Sequence, residues 1–237
     1  MKMIFAKIRF YYGSFIISFV IGFMMIPSII LFKKYRTIIR HKLSRLIIIL
    51  LGGDVNIVGK VNKDAQMYIL NHQGIIDIIT LESIYDLDLN WVAKKQLFNV
   101  FWLGHILKKN DAISIDRDNP KGLIKLIKDV KKSIFKDKRP VVIFPEGTRA
   151  KKQKLLPFKQ GAKIIAQKLN LKIQPIVITG SKQLLNEHLH KADNSIIKVK
   201  FMPIIEVNKS NPNWYKDIKE NMQKEIDIEF TDNSRSR

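Results

Sequence analysis

The sequence predicts an α/β fold: a mixed, mostly parallel central sheet flanked by helices, with an apolar helical membrane element at the N-terminus. Three observations carry this. Short apolar runs at residues 67–70, 141–144 and 173–179 have the length of buried strands. Between them lie polar or glycine-containing turns and stretches with helical periodicity, the alternation that builds parallel sheets. Residues 10–32 contain no charged side chain over 23 positions, long enough to cross a bilayer as a helix.

In chain order, Lys2, Lys7 and Arg9 precede that run, and Lys33, Lys34, Arg36, Arg40, Lys42 and Arg45 follow it. Basic flanks on both sides, richer after the run, fit either a single span with the body in the cytoplasm or a monotopic insertion into one leaflet. A second apolar patch, Leu43 and Leu46 to Leu51, favours the monotopic geometry, and Gly22 and Pro27 are positions where the first helix can break or kink. Residues 55–61 read as an edge strand leading to the buried strand at 67–70, and a helix starts at Ile75. Short strands are expected at 90–93 and 113–115, a helix at 100–107, and an amphipathic surface helix at 122–135. A helix at 161–169 leads into the strand at 173–179. Alternation over 196–201 continues as strand through 202–207. Trp214, Ile218, Met222 and Ile226, four residues apart, mark an amphipathic terminal helix. These limits give membrane helices over 1–52, one catalytic domain over 53–230 and a disordered tail over 231–237.

Composition narrows the function classes. The chain has 237 residues, no cysteine, 42 Lys and Arg against 21 Asp and Glu, and a formal net charge of +21. Disulfides, thiolate zinc sites and thiol nucleophiles are excluded. The charge favours anionic partners, and the apolar N-terminus selects an anionic membrane surface over nucleic acid.

Two blocks carry chemistry. Asn71-His72-Gln73-Gly74 follows a buried strand, and Asp77 falls in the first turn of the next helix. In open α/β sheets ligands bind at this mouth, outside the carboxyl ends of the strands. An Asp five residues after a His can fix the imidazole tautomer. No Ser, Thr or Cys lies between them, so the base would act on a hydroxyl of the substrate. The second block, Phe144-Pro145-Glu146-Gly147-Thr148-Arg149, also follows a strand. Gly147 allows a positive φ, Thr148 brings a hydroxyl, and Arg149 a bidentate fork for phosphate, with Glu146 orienting Arg149 or receiving a substrate hydroxyl. It lacks the Gly-Lys-Ser/Thr ending of a Walker loop.

Taken together and in order, these blocks resemble the glycerolipid acyltransferase family, in particular its 1-acylglycerol-3-phosphate acyltransferases. His72 and Asp77 match the His-x4-Asp block, Ile115-Asp116-Arg117 the second, residues 144–149 the third, and Pro175 the fourth; residues 93–97 and 156–161 match the connecting sequence. The chain departs from the family pattern at Gly74 and Ala150, where Ser is usual, and at Ser114, where Phe is common.

The resemblance implies a glycerol-3-phosphate acyltransferase-like fold and transfer of an acyl group from acyl-CoA or acyl-carrier protein to the free hydroxyl of lysophosphatidic acid, giving phosphatidic acid. His72 would be the general base and Asp77 its orienter, with no acyl-enzyme, no cofactor and no metal. Glu146, Gly147, Thr148, Arg149, Arg117 and Lys94 would form the phosphate site, and backbone N–H groups after His72 an oxyanion site. The expected location is the inner membrane, catalytic domain on the cytoplasmic face. Rival readings are acylation of glycerol 3-phosphate, a lysophospholipid or an aminoacyl lipid, and a non-enzymatic basic protein that binds anionic lipid. A serine hydrolase is disfavoured by the absence of Gly-x-Ser-x-Gly.

Overall fold

Strand Met67–Leu70 shows how the sheet is built. Its side chains alternate between two cores: Tyr68 and Leu70 enter one, Met67 and Ile69 the other. A strand buried on both faces needs helices on both, as parallel sheets do. The computed structural model describes residues 2–84, 87–116, 119, 122–209 and 211–234.

Helix α1 (Lys2–Phe19) passes through a π-helical stretch (Val20–Met25) into α2 (Ile26–Leu31), and α3 (Arg36–Leu50) follows. Then come β1 (Gly53–Val58), β2 (Met67–Leu70), α4 (Ile75–Ile84), β3 (Asn90–Lys94), α5 (Phe101–Lys109), β4 (Ile113–Ile115) and α6 (Gly122–Lys131). The rest is β5 (Val141–Ile143), α7 (Gln160–Leu169), β6 (Lys172–Thr179), α8 (Ser181–Leu184), β7 (Ser195–Phe201), β8 (Ile205–Glu206) and α9 (Trp214–Ser234). Among the described residues the strands form one sheet in the order β1-β7-β6-β2-β5-β3-β4, with β8 also on β6. Pairing is parallel except where β7 and β8 run antiparallel to β6. The fold class is therefore the mixed, mostly parallel sheet expected, with β1 at an edge.

Gly22 and Pro27 do not stop the first helix. The backbone widens to π geometry over Val20–Met25 and Pro27 sits in the first turn of α2, where its missing N–H costs least. Phe10, Ile17 and Val20 share a core with Ile47, Tyr68 and Leu70, so one face of α1 belongs to the body. The opposite face presents Phe15, Phe19 and Phe23 to the outside, stacked in series at 5.9 and 5.4 Å. Helix α3 lies against α4 and buries Arg40, Ser44, Ile47 and Ile48 while leaving Ile49 outward.

Two elements differ from expectation. Residues 202–207 do not continue as one strand: Pro203, which has no N–H to give the ladder, separates β7 from the two-residue β8. Helix α9 buries Trp214, Ile218, Met222 and Ile226 and runs to Ser234, past the domain limit placed at 230.

Candidate active site

Strand β2 lies between β5 and β6, parallel to both, and the site is assembled from the loops that leave these three strands at one edge of the sheet. Where β2 stops, Asn71 extends the ladder with its side chain: Nδ2 donates to Ile178 O and Oδ1 accepts from Ile178 N–H, both at 2.8 Å. His72 is thereby held at the mouth. Its main chain is clamped from the loop after β5, with His72 N–H donating to Glu146 Oε1 at 2.9 Å and His72 O accepting from Ala150 N–H at 2.7 Å.

The His72 ring lies flat on Phe144, centroids 3.8 Å apart and planes 14° from parallel, and Phe144 stacks in turn on Trp91. Its Nδ1 is 3.0 Å from Asp77 Oδ2. Asp77 is fully buried and also accepts from Gln73 N–H at 2.6 Å, Gly74 N–H at 2.9 Å and Ser181 Oγ at 2.6 Å. A carboxylate so placed only accepts, so the neutral ring carries its proton on Nδ1 and keeps the Nε2 lone pair for a substrate. Among the described residues no side-chain hydroxyl hydrogen-bonds to His72; the nearby Ser181 serves Asp77.

The expected oxyanion donors are already engaged. Gln73 and Gly74 amides go to Asp77, and Ile75 N–H donates to Glu187 Oε1 at 2.7 Å. The turn after His72 therefore orients the carboxylate and leaves no amide of these three for a developing oxyanion.

A cleft of about 1030 Å³ opens at His72. Lys94, Gly147, Thr148, Arg149 and Lys151 line it, with Ile21 and Met25 of the N-terminal helix, Leu103 and Ile106 of α5, and the buried Arg40 and Glu82. Lys94, Thr148 and Arg149 are exposed there, and Arg149 forms an ion pair with Glu187. Gly147 holds φ 70°, a left-handed conformation that favours glycine, in the turn closed by its N–H to Phe144 O at 3.0 Å. Arg117 lies outside the described residues. Its neighbour Asp116 lines the cleft and pairs with Lys95 at 3.0 Å.

Glu146, grouped by sequence with the phosphate binders, is placed otherwise. It is buried, and its second oxygen accepts from Leu156 N–H at 2.8 Å. Burial pushes its pKa up, while the amides of Leu156 and His72 pull it down. Both oxygens are committed to backbone, and a carboxylate would repel phosphate, so Glu146 acts here as a brace between His72 and the loop at 150–156.

A family model described as Acyltransferase matches residues 54–179, which hold His72, Asp77, Lys94, Glu146 and Arg149. The chain belongs to the acyltransferase family. A 1-acyl-sn-glycerol-3-phosphate acyltransferase of Helicobacter pylori is 41% identical over 177 residues, 74% of either chain. That of Bacillus subtilis is 33% identical over 163 residues, 62% of this chain and 79% of its own. The coconut enzyme of the same name is 32% identical over 166 residues, and the match spans about half of it, 54%. The fold resembles the crystal structure of the 1-acyl-sn-glycerophosphate (LPA) acyltransferase PlsC from Thermotoga maritima, with a TM-score of 0.80, 20% identity, and coverage of 96% and 97% of the two chains.

Sequence reasoning missed three residues of this acyltransferase, all after β6: Ser181 on Asp77, Lys182 on the carbonyls of Ala150 and Lys151, and Glu187 on Arg149. Burial lowers the Lys182 pKa, with the Asp77 charge opposing. The signal available was Gly180-Ser181 directly after an apolar strand, the same pattern that marked His72.

Proposed function

We propose that this acyltransferase moves a fatty acyl group from an acyl thioester, acyl-CoA or acyl-carrier protein, to the free hydroxyl of a 1-acylglycerol 3-phosphate. One observation carries the reading: His72, backed by Asp77, stands in a cleft lined by Arg149 and Lys94 together with many apolar side chains. Nε2 takes the proton of the acceptor hydroxyl as its oxygen attacks the thioester carbonyl; the carbonyl–sulfur bond breaks and the thiolate leaves. Imidazolium formed in that step is stabilised by Asp77. General-base help of this kind contributes about 10²–10⁴-fold, and fixing both substrates supplies much of the rest.

The names of the relatives support lysophosphatidic acid as acceptor. The seat proposed is the cytoplasmic leaflet of the inner membrane, and its monotopic geometry is supported by the helix Lys2–Leu31, apolar and long enough to span by composition, yet with one face in the body and stacked phenylalanines on the other. In that seat Ile21 and Met25 bring the cleft to the lipid boundary, where acceptor and product partition.

The test is thioester release by the full chain in mixed micelles, with CoA and carrier-protein donors in parallel and lysophosphatidic acid against monoacylglycerol as acceptors. The expected result is turnover on the phosphorylated acceptor, lost in a folded His72→Ala variant. Near-normal turnover in that variant would refute the base assignment.

A further inference from the structure

Arg149, on which the acceptor reading rests, already holds an anion. Glu187 Oε2 pairs with Arg149 Nη1, and Glu187 Oε1 accepts the Ile75 N–H at 2.7 Å. One internal carboxylate thus bridges a guanidinium and the amide that opens α4, the two kinds of donor that recognise phosphate. Nothing local in the sequence brings Glu187 there: it stands 112 residues after Ile75 and 38 after Arg149.

Gly74 leaves room for the contact: a Cβ added there would lie 3.2 Å from Glu187 Oε1 and 3.9 Å from its Cδ, so the carboxylate would have to shift by a few tenths of an ångström. The segment that carries Glu187 is held by its own hydrogen bonds and by the His190 ring against Phe10, 5.1 Å between centroids. Asn186 and Lys191 bridge backbone to backbone, and Asn186 Oδ1 accepts from the amides of His188 and Leu189. Glu187 meets Arg149, which lines the cleft, and its side chain keeps 24% of its exposure.

We propose that Glu187 is an internal stand-in for the acceptor's phosphate, a specificity-determining carboxylate that holds Arg149 in the free enzyme and yields it to a phosphorylated acceptor. The proposal rests on the phosphate-acceptor reading above. Carboxylate and phosphate dianion repel each other across one guanidinium, so the two occupy the site in turn. Only an acceptor bearing an anion recovers, from Arg149 and the Ile75 amide, the bonds broken when Glu187 leaves. A neutral lipid alcohol recovers neither, and the ion pair biases the enzyme against it.

The test compares Glu187→Gln, Arg149→Ala and the double variant, in the full chain, for acceptor KM and kcat. Gln keeps an amide oxygen for the Ile75 N–H and removes only the charge. Glu187→Gln is expected to lower the lysophosphatidic acid KM about three- to ten-fold, with the change falling on KM rather than kcat and vanishing in the Arg149→Ala background. A raised KM would overturn the proposal, because Glu187 would then be positioning Arg149 for phosphate; an unchanged KM would overturn it as well. If the parent enzyme takes monoacylglycerol as readily as lysophosphatidic acid, the acceptor reading fails instead. Calorimetric titration with glycerol 3-phosphate then decides this proposal: tighter binding to Glu187→Gln supports it, and equal or weaker binding sinks it.

Discussion

Helix α4 carries two buried carboxylates five residues apart, and they have opposite settings. Asp77, in the first turn, receives the His72 ring, two amides and a hydroxyl. The Glu82 carboxylate, near the other end, has one hydrogen bond among the described residues, from Trp91 Nε1 at 2.7 Å. Its other oxygen lies 3.4 Å from Arg40 Nε and has no hydrogen-bond partner among the described residues. Burial is alike at the two ends, so burial does not mark the site. The number and aim of the donors does. At Asp77 they fix the His72 ring, whereas at Glu82 they fasten α3 to the sheet through Arg40, whose guanidinium also reaches Asp88 and Leu89 O.

The comparison predicts its largest effect at Asp77. Asp77→Asn replaces one acceptor oxygen with an NH₂ that faces donors, so the His72 ring loses its partner or turns over. A kcat loss of about 10³–10⁴-fold is expected, the size seen when a triad carboxylate becomes an amide. Single-turnover acyl transfer with near-UV circular dichroism as the fold control checks it. A loss below about ten-fold would make Asp77 a packing residue like Glu82.

A smaller effect is expected one step further from the ring. Glu146→Ala leaves the amides of His72 and Leu156 without acceptors, at a cost of about 1–3 kcal/mol for each buried group left unpaired. Because His72 then loses its backbone anchor, kcat should fall about 10–100-fold with the acceptor KM little changed. Arg149→Ala should do the reverse and act chiefly on KM. A Glu146 variant whose defect sat mainly in acceptor KM would return that residue to the phosphate site.

What was legible in the sequence follows from distance along the chain. His72 and Asp77 are five residues apart across one turn, so a short reading frame contains both, and the apolar runs that became β2, β5 and β6 are unambiguous because each is buried on both faces. Ser181 meets Asp77 across 104 residues, and only the register that pairs Leu70 with Ile176 brings the two loops to one edge. Glu146 was misgrouped for a different reason. Its neighbours in sequence face the cleft, but the turn at Gly147 sends Glu146 inward, and no pattern of residue types reports which way one side chain leaves a tight turn. Arg36 and Arg40 show the same limit: two basic residues that read as a membrane flank are bound to Asp88, Asp111 and Glu82.

The smallest expected effect, at Glu82, separates the two carboxylates by pH. Burial raises the Glu82 pKa above its ordinary 4.5, outweighing the opposing pull of Arg40 and of the Trp91 hydrogen bond. A carboxyl whose folded pKa is raised binds more protons folded than unfolded, so stability falls as pH climbs from about 4.5 through the folded pKa. Glu82→Gln copies the neutral form and removes that slope. Thermal melts of the two proteins should therefore coincide at acid pH and part as pH rises, with the variant the more stable. Each kcal/mol of difference moves Tm by about 2–4 °C in a chain of this size. Glu146, also raised, is present in both proteins and cancels from the difference. Activity per folded molecule should stay within about two-fold, since Glu82 holds α3 and not the His72 ring. A variant that melts lower at neutral pH than at acid pH, relative to the parent, would mean that the ionised Glu82–Arg40 pair stabilises the attachment of α3, and the contrast with Asp77 would then lie in what each acid touches and no longer in how well each charge is solvated.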